Sequence, residues 1–195
     1  MLKSWLSCPY LNKEKGFTLL ELVLAMAIGS ILFLGFCSIL GFTINTYKEE
    51  VEIDDILISG QYTIEYIKKE IKQAEKIISI DKINGLKDKY PDNIGFVIMR
   101  YRPGGIEKPD EYNYSTYYLK NNKIYRIAEN REDDRLPIFG GQDGHNVLAE
   151  YAISIKDTNI NFEDKIVDLN FVFKGELKNE IRFKTKIFIR CPIVY

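Results

Sequence analysis

The first feature of the sequence is an unbroken apolar block near the N-terminus. No charged residue occurs between positions 22 and 47. A helix of that length reaches roughly 39 Å at about 1.5 Å per residue, more than the ~30 Å hydrocarbon core of a bilayer. The block therefore predicts a membrane-spanning helix. Lys3, Lys13 and Lys15 precede it and a mainly acidic segment follows, so the positive-inside rule predicts a cytoplasmic N-terminus and an external C-terminal part.

Beyond the block, apolar residues recur at spacings of three and four. This period predicts an amphipathic helix that continues the span over residues 48–84 and ends at Asn84-Gly85, because glycine is a common helix stop. We expect its apolar side to cover a sheet. The periodic positions are Ile53, Leu57, Gly60, Ile64, Ile67, Ile71, Ala74 and Ile78.

Residues 85–195 show the alternation of apolar and polar residues that is typical of strands. Asn121-Asn122, between two candidate strands, predicts a two-residue hairpin turn. Together with the helix, this pattern predicts an α+β fold, in which one face of an antiparallel sheet packs on the helix and the other is partly wet. The predicted strands are 94–101, 112–119, 123–128, 147–156, 165–173 and 180–190, with loops at 103–105 and 129–146.

Composition adds two constraints. The chain has 195 residues and a formal net charge of -1, so it has no overall attraction to nucleic acid or anionic lipid. Of its cysteines, Cys8 precedes the apolar block, Cys37 lies inside it, and Cys191 alone falls in the predicted external part. An internal disulfide in that part is therefore not expected.

A short motif stands directly before the apolar block: KGFTLLE at 15–21. The block is too long for a secretory signal peptide, and no small-x-small cleavage site follows it. The motif resembles the type III signal of type IV prepilins and pseudopilins, with glycine before the cut, phenylalanine and threonine after it, and glutamate as the fifth mature residue. This resemblance implies cleavage between Gly16 and Phe17 by a prepilin peptidase and methylation of the Phe17 amine. The leader would be 1–16 and the span 17–47.

Glu21 is the residue whose position most needs a reason, since a carboxylate is costly in a membrane helix without a partner. It could simply lie among the lipid headgroups. The resemblance implies instead that it pairs with the N-terminal amine of a neighbouring subunit, an ion pair that sets register. The span lacks the proline usual in major pilins, which favours a minor subunit. Small residues that would let helices approach closely are Ala25, Gly29, Gly35 and Gly41.

The sequences around the predicted hairpin, 117–119 and 124–126, and the two last strands resemble minor pilins of the PilW, GspJ and ComGF types. This likeness implies a structural subunit without catalysis or cofactor. Its partners would be the prepilin peptidase, other pilins, an assembly platform with a cytoplasmic ATPase, and membrane lipid before assembly. The filament would serve a pilus, a secretion system or competence. The alternative is a permanently membrane-anchored external binding or sensor module.

No residue pattern predicts catalysis or a metal site. His145 lies in a predicted loop, and no P-loop, zinc spacing or dinucleotide fingerprint occurs. The loop 129–146 carries carboxylates of the kind that calcium prefers, but without EF-hand spacing. These acidic residues are Glu129, Glu132, Asp133, Asp134 and Asp143.

The last predicted strand carries a row of basic residues that could contact DNA phosphates. A basic row on a strand also discourages aggregation, so nucleic acid is not expected as a partner. The row consists of Arg182, Lys184, Lys186 and Arg190.

Overall fold

The computed structural model describes residues 16–105, 109–139, 144–176 and 180–195. It confirms the predicted α+β class, with a long N-terminal helix followed by a domain rich in antiparallel sheet, the pilin-like layout. The chain divides into two compact units, Met1–Tyr47 and Lys48–Tyr195. The elements are α1 (Leu19–Lys72), β1 (Lys76–Ser79), a 3₁₀ turn (Ile80–Lys82), α2 (Leu86–Lys89), β2 (Phe96–Arg102), β3 (Glu111–Lys120), β4 (Lys123–Arg131), β5 (Gly144–Ala149), β6 (Ala152–Ser154), β7 (Asn159–Asn161), β8 (Ile166–Phe173), β9 (Ile181–Phe188) and β10 (Ile193–Val194).

In the first unit, the structure describes the N-terminal half of α1. Its apolar side chains are exposed, and the helix is long and apolar enough to cross a membrane. Two hydroxyls inside the apolar block are satisfied within the helix, because Ser30 Oγ donates to the Met26 carbonyl at 2.7 Å and Thr43 Oγ1 to the Ile39 carbonyl at 2.9 Å. Such internal bonding is what a polar group in hydrocarbon requires.

The predicted end of the long helix at Gly85 is wrong. α1 ends at Lys72 after 54 residues, and the region assigned to helix at 48–84 continues as β1 and a 3₁₀ turn. Ile77 and Ile78 are adjacent β-branched residues, both buried, on opposite faces of β1. The apolar spacing at Ala74 and Ile78 was compatible with a helix, but pairing with β2 decided the conformation. Gly85 instead lies in the turn directly before α2, with a φ of 73°.

The strands form two sheets rather than the one predicted. The first has the order β10-β1-β2-β3-β4-β5, with β1 and β10 parallel. In the second, β8 is central, with β9 on one side and the short β6 and β7 on the other. The predicted strand 147–156 is split between the two sheets around Tyr151, whose φ is 62°. The predicted loop 129–146 is shorter, because β4 extends to Arg131 and β5 begins at Gly144.

The predicted hairpin is confirmed. Lys120 pairs with Lys123, and the two residues between them, Asn121 and Asn122, have φ of 50° and 57°. Positive φ at both central positions is the geometry of a type I′ turn, which asparagine tolerates.

The first sheet is covered on both faces over its centre, and it stays exposed to solvent mainly in β5, at Gly144–Val147. One face joins the main core with the C-terminal part of α1 and the second sheet. The opposite face buries a second core beneath the 3₁₀ turn, α2 and Phe139. The predicted alternation holds in β9, where even-numbered residues are exposed and odd-numbered ones are at least partly covered.

Two contacts fix α1 against the second sheet. Gly60 is buried, and any added Cβ would overlap the Phe183 ring. Glu52, two turns earlier, accepts a hydrogen bond from the Glu176 backbone N–H just after β8. Glycine at position 60 thus permits the close approach of helix and sheet.

The last turn of α1 carries a buried carboxylate that contacts three adjacent strands. Glu70 is 2% exposed. Its Oε1 accepts from Arg126 Nη2 at 2.8 Å and lies 3.0 Å from Arg100 Nη2. Its Oε2 accepts from the hydroxyls of Ser115, at 2.9 Å, and Tyr117. We call Glu70, Arg100, Ser115, Tyr117 and Arg126 the Glu70 network.

Burial alone would raise the pKa of the Glu70 carboxyl. The hydrogen bonds from Arg126 and Tyr117 and the charges of both arginines outweigh burial, so the pKa lies below its usual value. Burial and the neighbouring Glu70 charge raise the pKa of the Tyr117 phenol well above its ordinary value. The network is therefore one carboxylate, two guanidinium groups, a serine hydroxyl and a neutral phenol.

We expect Glu70→Gln to destabilise the protein by about 3–5 kcal/mol, because it leaves two arginines without their counter-charge. The measurement is denaturant unfolding of the full chain in detergent, followed by tyrosine fluorescence. Glu65→Gln is the matched control, since Glu65 pairs with Lys68 on the exposed side of the same helix and should cost less than about 1 kcal/mol. Equal losses for both variants would contradict the role of the network.

The same network predicts acid sensitivity. Folding lowers the pKa of Glu70. The stability that its ionised form adds to the folded state is therefore complete above the unfolded-state pKa of about 4.3, and it is lost as pH falls through the lower folded-state value. The free energy of unfolding of the parent should therefore fall more steeply in acid than that of Glu70→Gln. Parallel pH profiles for the two proteins between about pH 7 and 3 would show that Glu70 does not titrate as described.

Candidate functional site at the start of the apolar helix

The helix α1 begins with a reciprocal cap formed by Thr18 and Glu21. The Glu21 backbone N–H donates to Thr18 Oγ1 at 3.3 Å, and the Thr18 backbone N–H donates to Glu21 Oε2 at 2.9 Å. This is a capping box, in which threonine at the cap and glutamate three residues later satisfy each other's backbone donors. The negative charge of Glu21 also lies at the favourable end of the helix dipole.

One oxygen of the Glu21 carboxylate remains available. Both the backbone N–H and the hydroxyl of Thr18 donate to Oε2, each at 2.9 Å. Among the described residues, Oε1 accepts no recorded hydrogen bond. A carboxylate can accept several donors, so Glu21 can cap its own helix and still accept a donor from another molecule.

Gly16 and Phe17 precede the helix and are accessible. Neither belongs to a helix or strand, both are exposed, and Phe17 is 82% exposed. Residues 1–15 of the predicted leader lie outside the described residues. The predicted cleavage point is thus presented on a non-helical segment directly before the cap.

The small residues of the span are not all on one side of the helix. An added Cβ would meet nothing within 4 Å at Gly29, Gly35 or Gly41. Ala25 and Gly29 are one turn apart on a common stripe, whereas Gly41 lies roughly 160° around the helix from Ala25 at 3.6 residues per turn. The geometry therefore offers one short small-residue stripe for a helical neighbour, formed by Ala25 and Gly29.

Comparison with known families bears on this same segment. The family model of the prokaryotic N-terminal methylation motif matches residues 11–36. The match supports a prepilin of the type IV pilin or pseudopilin kind. It covers the residues around the predicted cut and the first half of the apolar block, and it leaves the assignment to the PilW, GspJ or ComGF type untested. Neither the search of curated proteins nor the search of solved structures found a match.

The prediction that His145 lies in a loop is wrong. His145 is in β5, opposite Ile127 of β4. Its Nδ1 is 3.1 Å from the hydroxyl of Tyr118, and its ring lies beside those of Tyr118 and Tyr90. The histidine is part of an aromatic cluster at the edge of the first sheet.

Most of the acidic residues considered for calcium are engaged in ion pairs. Arg131 contacts Glu129 and Asp133, each at 3.1 Å. The hydrogen bond that Arg131 donates to Asp133 lowers the pKa of the Asp133 carboxyl. Asp134 pairs with Lys76 at 3.2 Å. Asp143 lies outside the described residues, and within the described ranges no group of three or more His, Cys, Asp or Glu residues is placed to hold a metal ion.

The basic row lies on β9 and just beyond it. Its four members are exposed. Arg182 has Glu180 at 3.5 Å and Lys186 has Asp168 at 3.6 Å, so carboxylates partly offset two of the four charges.

The capping role of Thr18 was not predicted from the sequence, although its signal was present. Threonine followed three residues later by glutamate, directly before an apolar run, is the sequence pattern of a capping box. The same two residues belong to the processing motif, and the sequence was interpreted through that motif rather than as a helix cap.

We expect Thr18→Val to loosen the first turn of α1, because it removes a hydroxyl that both accepts from and donates to Glu21. The cap should be weakened by about 1 kcal/mol, so the Glu21 amide should exchange with solvent roughly fivefold faster. Amide hydrogen exchange of the full chain in micelles measures this change. Thr43→Val is the matched control in the same helix. Unchanged exchange at Glu21 would rule out the cap as a stabilising feature.

Proposed function

We propose that the chain is a minor pilin or pseudopilin, a structural subunit of a type IV pilus-like or pseudopilus filament, cut between Gly16 and Phe17. Pilin-like proteins are structural rather than enzymatic. The observation that carries the proposal is the cap of Thr18 and Glu21 directly after the exposed Gly16-Phe17 bond, in the segment that the methylation-motif model matches.

Accessibility supports the cleavage step. A peptidase needs an extended, reachable backbone, and the backbone N–H and C=O groups of a formed helix are already bonded to each other. Gly16 and Phe17 lie before the first helical residue and are exposed. The cut would release a backbone amine at Phe17, which the peptidase would then methylate.

The free oxygen of Glu21 supports the assembly step. Once residues 1–16 are removed, each subunit carries a positive amine at Phe17. Oε1 of Glu21 in a neighbouring subunit can accept a hydrogen bond from that amine, while Oε2 keeps its hydrogen bonds from Thr18. Such an ion pair neutralises two charges as the helices pass from lipid into the filament, and it fixes the register between neighbours.

The rest of the chain takes its role from this start. Residues 17–47 would span the membrane before assembly, with the N-terminus in the cytoplasm, and the sheet domain would be outside. We place the boundary of the sheet domain after Lys72 rather than at residue 85. The motif implies the prepilin peptidase and other pilins as partners, and an assembly platform with its cytoplasmic ATPase follows from the proposed role.

Mass spectrometry of the protein from its native membrane and filament fractions tests the cleavage step. We expect a mature chain that begins at Phe17 and carries an added methyl group. An intact leader on all of the protein would contradict the proposal and would support a permanently anchored binding or sensor module.

A variant of Glu21 tests the assembly step. We expect Glu21→Gln to be cut normally but to enter filaments about tenfold less or worse, because the neighbouring amine would be buried without a counter-charge. Sheared filaments are quantified against total membrane protein, with Thr43→Val as a control that leaves Glu21 intact. Incorporation of Glu21→Gln at the parent's level would refute the ion pair.

A further inference from the structure

The outward face of the second sheet contains a surface cavity beside the centre of β8. Its volume is about 530 Å³, within the range of small-molecule sites. The odd-numbered residues of β8 belong to the main core. Because successive side chains of a strand point to opposite faces, Asn170 faces outward. We call this cavity the Asn170 cavity. The charged and amide residues that line it are Asp157, Asp168, Asn170, Lys184 and Lys186.

Asn170 has a buried oxygen atom without a hydrogen-bond partner. The residue is 7% exposed. Its Nδ2 donates to Asp157 Oδ2 at 3.2 Å, whereas its Oδ1 accepts no hydrogen bond within the described residues. A flipped amide would turn its oxygen towards the Asp157 carboxylate, so the hydrogen bond fixes the orientation of the amide. A buried acceptor that has lost water and gained no donor costs free energy. Asn170 Oδ1 therefore favours a ligand that supplies a donor.

The backbone of Asn170 is already satisfied by a side chain. Its N–H donates to Thr158 Oγ1 at 3.1 Å, and its carbonyl accepts from the same hydroxyl at 3.2 Å. Thr158 thus bridges to β8 in the gap between the short strands β6 and β7. The unpaired side-chain oxygen is not needed to hold this part of the sheet together.

Lys184 lies directly opposite Asn170 in the strand register. It is exposed, and no ion pair is recorded for it in the ranges that the structure describes. A lysine on a flexible stem can move aside for a ligand above Asn170, and its ammonium group can donate to that ligand. The cavity therefore offers a donor on β9 facing an acceptor on β8.

The charges around the cavity balance. Lys186 lies 3.6 Å from Asp168, and Asp157 and Lys184 add one charge of each sign. A metal cation held by the two carboxylates would face two ammonium groups, and an anion held by the two lysines would face two carboxylates. A neutral ligand with adjacent hydroxyls avoids both penalties, because each hydroxyl can donate and accept. One hydroxyl can donate to Asn170 Oδ1 while its neighbour accepts from Lys184.

We propose that the Asn170 cavity binds a neutral sugar unit through adjacent hydroxyls. Phe188 lies two residues beyond Lys186 on the same face and is 63% exposed. Its ring offers the apolar C–H face of a further sugar unit a surface to stack on. This adds a binding role to the structural role proposed above, and it does not depend on filament assembly.

The competing explanation is that Asn170 only ties the segment before β7 to the sheet through Asp157. The variant Asn170→Leu separates the two explanations. If the amide serves stability, the variant should unfold at a lower urea concentration than the parent. If the amide serves binding, the variant should keep the parent's urea midpoint, because it removes the unpaired oxygen and leaves the exposed Asp157 to water.

The test uses the full chain, labelled with ¹⁵N, in micelles of a detergent without a sugar head group. Glucose, galactose, mannose and N-acetylglucosamine are titrated separately, and the side-chain amide signal of Asn170 is followed with the backbone amides of β8 and β9. We expect saturable shifts with at least one of these sugars, confined to residues around the cavity. Calcium chloride and sodium phosphate are titrated as the ionic alternatives.

Variants assign the binding to the cavity. Asn170→Leu and Lys184→Met should each weaken sugar binding about tenfold, because each removes a hydrogen bond to the ligand. Lys120→Met is the matched control, since Lys120 is also exposed and no ion pair is recorded for it within the described residues. It should bind the sugar as the parent does.

Four outcomes would overturn the inference. The first is no saturable shift with any of the four sugars, and the second is unchanged affinity in Asn170→Leu. The third is a response to calcium or phosphate without a response to sugar, which would make the cavity an ion site. The fourth is a lower urea midpoint in Asn170→Leu with sugar binding intact, which would assign the amide to stability alone.

Discussion

The domain depends on one constraint, the need to satisfy a carboxylate that is buried at the end of α1. Glu70 can stay ionised there only because three strands supply opposite charge and hydroxyl donors. Those donors come from β2, β3 and β4, so the helix can meet the sheet in only one rotation and one translation. An apolar interface of the same size would tolerate sliding by a turn.

This constraint also explains why the fold was only partly predictable. The apolar periodicity of α1 and the alternation of β8 and β9 are local patterns, and they predicted the correct element types. The Glu70 network joins residues that are far apart in sequence, and no local pattern marks Glu70 as buried. The end of the helix was missed for a related reason, since Ile77 and Ile78 become a strand by pairing with β2 rather than by propensity alone.

The residues of the candidate site could all be named from the sequence, because the site is short and contiguous. Gly16, Phe17 and Glu21 fall within six positions, and their motif requires no tertiary contact. What the sequence could not supply was the geometry, namely that both Thr18 donors share one oxygen of Glu21 and leave the other open.

The attachments of α1 in the second unit are distributed along its length. Glu52, Gly60 and Glu70 contact the sheets at intervals that span roughly 27 Å of helix at about 1.5 Å per residue. A tensile force along the helix axis would load all of these attachments simultaneously in shear. A force that peels the helix off the sheets would break them one after another. The domain therefore resists a pull along the axis of α1 better than a force that peels the helix away from the sheets.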